Sequence, residues 1–194
     1  MAGRGLVTGL VVLVGLWLAP GEAVGAGHSC SAKRTRVLAA NSRIRVLRRT
    51  GGGDEGSVYA CLGQSGEWVR LGRSLGASRV YPVRITDALV AYGSYCACPA
   101  TSARLIVRDM RRHGLRLIGR ELDGRPTDLV LAPDGAVAWI EGSSPTFPVW
   151  KSDGDGAAQV DDGDDVAPES LALSSRTVYW TKAGAPYSTS LAAR

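Results

Sequence analysis

The chain has 194 residues, 45% of them hydrophobic and 21% charged, with a net charge of +5. Valine, leucine, isoleucine, tryptophan and tyrosine are spread along its whole length, which excludes a long disordered tail. Once the N-terminal segment is set aside, the remainder suffices for one core or one short repeat array, and one domain is expected.

The first residues carry a single cation, Arg4, then an uninterrupted low-polarity run from Leu6 to Leu18, then Pro20, Gly21 and small residues ending Val24-Gly25-Ala26. A bilayer-spanning helix needs about 20 apolar residues, and only 13 precede this Pro-Gly break. The order is that of a secretory signal. Residues 1–26 are therefore expected to be removed, with cleavage after Ala23 as the second choice, and residues 27–194 to fold outside the cell or in its envelope. No membrane span is expected in that mature chain.

Cys30, Cys61, Cys96 and Cys98 all follow the cleavage site, and an even count in an oxidising compartment predicts disulfides. Three connectivities are open. The favoured one joins Cys30 to Cys61, tying the N-terminal segment to the first strand unit and leaving Cys96 and Cys98 to each other or free. Zinc is disfavoured, because spacings of 31, 35 and 2 residues do not make two Cys-x-x-Cys knuckles.

Helical periodicity is missing after the signal segment, whereas strand signals are frequent. Arg43 to Leu47, Ser57 to Leu62 and Trp68 to Leu71 are separated by the turn formers Gly51-Gly52-Gly53-Asp54 and Ser65-Gly66. Further along, Leu89 to Tyr92, Ala136 to Trp139 and Thr177 to Trp180 recur at offsets of 47 and 41 residues. Each is preceded by a strand, at Tyr81–Ile85, Asp128–Leu131 and Ser170–Leu173. The first two are followed by a third strand, Leu105–Asp109 or Thr146–Trp150, and a short fourth, Leu115–Ile118 or Ala157–Val160. An offset of 48 carries Val58 onto Ile106 and Gly66 onto Gly114, bringing the first unit into the series, though its outermost elements are indistinct. The last unit ends after Tyr187–Leu191 with no fourth strand. Antiparallel four-stranded meanders at this spacing are the rhythm of propeller blades. The fold expected is all-β and propeller-like, with three to four units.

The strings Val58-Tyr59-Ala60-Cys61, Leu71-Gly72, Asp128-Leu129-Val130-Leu131 and Asp134-Gly135-Ala136-Val137-Ala138-Trp139 resemble those of exported, Arg-rich bacterial proteins with partial TolB-type or WD-repeat-like propeller units. That resemblance covers most of the mature chain. It implies a fold and a compartment, and the family it points to is mostly of unassigned function. Complete propellers close with 4 to 8 blades, so dimerisation or a curved open array is expected to cover the sheet edges.

Three constellations invite a chemical reading. Gly72-Arg73-Ser74-Leu75-Gly76, followed by Asp109 and His113, has the order of a hydrolase triad, yet a nucleophile elbow needs a helix after its Ser. Here Arg79 to Val83 leads into another strand, and no catalytic residue is assigned. Asp153, Asp155 and Asp161, with Asp162, Asp164 and Asp165, are candidate calcium ligands. The EF-hand spacing fails, since the sixth position from Asp153 is Ala158 rather than Gly. Two acidic turns flanking a short strand explain the same residues without a metal, and no cofactor is expected.

Charge is segregated along the chain. Residues 27–125 hold 18 Lys and Arg against 7 Asp and Glu, and residues 126–194 hold 4 against 10. Arg43, Arg45, Arg48 and Arg49, with Arg108, Arg111 and Arg112, form the candidate polyanion-binding patch, to which an anionic cell-envelope polymer or a protein partner would bind. Stacking aromatics are missing from both arginine groups. Trp139, Trp150 and Trp180 are expected to fill the space between packed sheets. The function expected is an exported, non-enzymatic binding or scaffolding module. The rival is an envelope-active hydrolase or lyase on a propeller scaffold, with calcium.

Overall fold

The computed structural model describes residues 30–76, 78–96, 102–142 and 145–194. The expected signal segment, residues 1–26, and Cys98 lie outside the described residues. Among the described residues no helix is long and apolar enough to cross a membrane.

Among the described residues four antiparallel sheets follow one another along the chain, each a meander in sequential strand order. The first comprises β1 (Thr35–Ala40), β2 (Ile44–Arg49), β3 (Ser57–Leu62) and β4 (Glu67–Arg73). The second comprises β5 (Ser78–Thr86), β6 (Leu89–Cys96), β7 (Ser102–Asp109) and β8 (Leu115–Leu122). The third comprises β9 (Pro126–Leu131), β10 (Val137–Glu141), β11 (Val149–Asp153) and β12 (Gly156–Asp161). The fourth has only β13 (Ala172–Ser174), β14 (Thr177–Lys182) and β15 (Ala185–Ser190). The repeated apolar strings thus become β6, β10 and β14, each second in its sheet. Gly66 and Gly114 occupy matching turns with φ of 67° and 68°, a left-handed conformation that glycine adopts at little cost.

Two strands differ from their predicted bounds for a backbone reason. The third strand of the third sheet begins at Val149 rather than Thr146; Pro148, which has no N–H to give to a ladder, precedes it and accepts from Glu141 N. In the second sheet the strand runs from Ser78 through Pro82, where the register slips between Val80 and Val83. A bulge is where a strand tolerates proline.

The sheets pack face to face. Ile44, Val46, Val58 and Ala60 of the first meet Val90, Tyr92 and Ile106 of the second. The second turns Leu89, Ala91, Leu105 and Val107 toward Leu129, Val137 and Trp139 of the third. The third turns Val130, Ala138 and Ile140 toward Val178 and Trp180 of the fourth. Inner sheets covered on both sides need apolar side chains at successive positions, which is why every residue of β9 and β10 is buried. Trp139 is wholly buried and stacks on Trp150 at 6.2 Å.

The first strands of the four sheets are their inner ones. β5 packs against β1 and β9, and β9 against β13, so the sheets radiate from a shared centre in an unclosed, propeller-like array. At the start of the array, Cys61 lies on the face of β3 turned away from the second sheet and is joined to Cys30, the pairing the sequence favoured. Cys96 is also disulfide-bonded.

Candidate functional site

Because the first strands converge, their side chains and approaching loops line a cleft of about 680 Å3. β1 supplies Arg36, β2 supplies Arg48, β5 supplies Arg79, Tyr81 and Arg84, and β6 supplies Tyr95. Arg125 and Glu169 arrive from the segments leading into the third and fourth sheets. The first three sheets and the segment leading into the fourth therefore all contribute to its lining. The bulge in β5 carries Tyr81 here, and its side chain is among the most exposed large ones of the molecule, at 55%. Gly93 makes the fit close: a Cβ there would run into the Pro126 ring and the Tyr81 carbonyl.

The electrostatics of this cleft are one-sided. Arg84 is neutralised by Asp128 at 2.8 Å. That buried carboxylate also accepts from Leu129 N at 2.9 Å and Leu171 N at 3.0 Å, fastening the second and third sheets to the segment that leads into the fourth. Arg79 donates to the carbonyls of Gly76 and Ser78. No ion pair among the described residues involves Arg36, Arg48, Arg79 or Arg125. Among the described residues Glu169 is the one carboxylate of the lining. Four unneutralised guanidiniums beside two phenol rings can hold an anion by charge-assisted hydrogen bonds.

The sequence-predicted arginine patch is placed differently. Arg43 and Arg111, from the two arginine groups, meet at Asp87, with N–O distances of 3.0 and 3.3 Å. Asn41 Nδ2 donates to the Asp87 carbonyl at 3.0 Å, so these contacts clamp the first sheet to the β5–β6 turn. Arg111 and Arg112 also pair with Asp109. Arg108 is tied to the Tyr92 hydroxyl and the Gly114 carbonyl. Arg45 is exposed beside Arg43 along a smaller hollow of about 360 Å3, and Arg49 is partly buried at the end of β2. Of the seven, only Arg48 lines the central cleft.

The triad residues do not assemble. Ser74 lies on the cleft wall, whereas Asp109 is held by Arg111, and His113 faces Glu67 at 3.0 Å from an exposed turn. The acidic residues are separated as well. Asp153 pairs opposite Gly156 and Asp161 opposite Val149, so they stand at opposite ends of one hairpin. Lys151 and Ala192 N hold Asp153, Lys182 and Trp180 hold Asp161, and Asp155 donates its N–H to Asp153. Among the described residues no group of three or more His, Cys, Asp or Glu is placed to hold a metal ion.

Sequence reasoning missed Arg36, Arg79, Arg84, Arg125, Tyr81 and Tyr95 as a set because they are scattered over 90 positions of the chain. The available signal was positional, since an arginine lies in or just before the first strand of each of the first three units. No family model matches the chain, and no curated protein matches it in sequence.

Proposed function

We propose that this protein is an exported, non-enzymatic binding module that takes an acidic ligand, such as an anionic cell-envelope polymer, into its central cleft. The observation that carries this reading is the convergence of Arg36, Arg48 and Arg125, none of them ion-paired among the described residues, on the cleft that the exposed Tyr81 also lines. Aromatic rings next to cations suit an anionic ligand with a flat face. The seven-arginine patch read from the sequence lacked such rings. Export is supported by the N-terminal segment and by the Cys30–Cys61 disulfide, which suits an oxidising compartment. The TolB-type or WD-repeat-like kinship rests on the strand pattern alone.

A non-catalytic role is favoured over the hydrolase because Ser74 lies on the cleft wall while Asp109 pairs with Arg111 and His113 with Glu67. The test is retention of the mature protein on an immobilised polyanion such as heparin as salt is raised. Binding should weaken steeply, and removing one cleft arginine should lower the log–log salt slope by about 1. Failure to bind at low salt, or an unchanged slope after removal of Arg36, would refute the proposal.

A further inference from the structure

Among the described residues β15 is an edge of the one three-stranded sheet, at the position where the other three sheets carry a fourth strand. The turn Ala183–Gly184, with φ of 50° and 78°, joins it to β14 and places Lys182 opposite Ala185. In a two-residue hairpin the flanking pair is hydrogen-bonded, and bonding alternates along the ladder. The backbone groups of Ala185, Tyr187 and Thr189 thus face β14, and those of Pro186, Ser188 and Ser190 face outward. Two contacts agree with this parity: Leu191 N donates to Arg176 O within the hairpin, and Lys151 Nζ reaches the outward Ser190 carbonyl at 3.3 Å.

This outward row is complementary to itself. When two copies of β15 run antiparallel about Ser188, that residue faces its own counterpart and exchanges two backbone bonds. Ser190 then faces Pro186 of the second copy and donates its N–H to the proline carbonyl. The return bond is missing because proline has no N–H. Its acceptor would have been the Ser190 carbonyl, which Lys151 already satisfies. The one absent donor is matched by the one occupied acceptor, on both sides of a two-fold axis. A strand with an N–H at every outward position would compete with Lys151 at Ser190.

Side chains and charge fit the same occupant. Between β12 and β15 runs a groove of about 590 Å3 lined by Gln159, Trp180, Tyr187 and Thr189. Tyr187 stacks on Trp180 yet is 47% exposed, and Ala158 of β12 is uncovered. Lys182, the cation of this groove, is neutralised by Asp161 and Asp162 at 2.8 Å each, so two copies meet without repulsion between bare ammonium groups. Residues 191–194 do not return along the edge. They cross to the third sheet, where Ala192 N donates to Asp153 and Arg194 N to Asp134.

We propose that two copies of this chain associate through antiparallel pairing of β15 with β15, centred on Ser188, merging their fourth sheets into one of six strands. The pairing is independent of the anion-binding cleft. Sedimentation equilibrium of the mature chain should show a dimer, and Ser188→Pro, which deletes the central N–H of each copy, should weaken it at least about tenfold. Ser188→Cys gives a readout that does not need the proline variant to fold. Hydrogen-bonded pairs place Cα atoms about 5.5 Å apart, within disulfide reach. This variant should therefore cross-link under mild oxidation far faster than Ser174→Cys on β13. A monomer at all concentrations, a dimer untouched by Ser188→Pro, or equal cross-linking of the two cysteine variants would overturn the proposal.

Discussion

Lys182 Nζ on β14 lies 2.8 Å from Asp161 Oδ1 at the end of β12, joining the third and fourth sheets. Burial alone would raise the Asp161 pKa, but hydrogen bonds from the Lys182 ammonium, Gly163 N and the Trp180 indole outweigh it and hold the carboxyl down to about 2. The folded value is below the unfolded one of 3.8, so this contribution is complete above the unfolded pKa and is lost as pH falls through the folded one. Asp161→Asn is expected to lower the melting temperature at neutral pH, with the difference from wild type vanishing toward pH 2. Melting curves across that range check it.

Glu141 behaves in the opposite sense. It is buried between the second and third sheets, and burial, aided by the nearby Asp123, raises its pKa against the Trp139 indole hydrogen bond and the Arg120 charge. A raised carboxyl pKa means that ionisation costs the folded state, a penalty present at neutral pH and absent below the unfolded value of 4.5. Glu141→Gln keeps an acceptor for Trp139 Nε1. It should raise the melting temperature at pH 7 and lose that advantage near pH 4.

At Gly93 the second sheet packs tightly on Pro126 of the third, beside the Tyr81 carbonyl. Gly93→Ala should destabilise the fold by about 1–3 kcal/mol through overpacking against Pro126, and it should weaken polyanion binding by displacing Tyr81. Denaturant unfolding together with a binding titration separates the two effects.

The Cys30–Cys61 bond closes a span of 31 residues around β1 and β2. Replacing both cysteines by alanine should cost about 2–4 kcal/mol, read as a lower denaturant midpoint with native-like circular dichroism.

The blade pattern was legible because β6, β10 and β14 repeat one apolar string after a polar turn, and a meander keeps neighbouring strands adjacent in sequence. β1 was not legible. Thr35–Ala40 shows no clean alternation, and most of it is exposed at the end of the array. The disulfide was legible from the even cysteine count read with the expected oxidising compartment. The cleft did not follow from local pattern, because Arg36 and Arg125 become neighbours only once the first strands converge. Arg43 and Arg111 looked like a ligand site until Asp87, from a different turn, came between them.

The central claim is that the cleft, and not net charge, binds the acidic ligand. Its most direct test is calorimetric titration of a sulfated or phosphorylated polymer into two charge-matched variants. One replaces Arg36, Arg48 and Arg125 by serine, the other Arg43, Arg111 and Arg112. The cleft variant should lose at least about 100-fold in affinity, at roughly tenfold per charge-assisted contact, while the other stays within about threefold of wild type. Equal losses in both variants would contradict the claim.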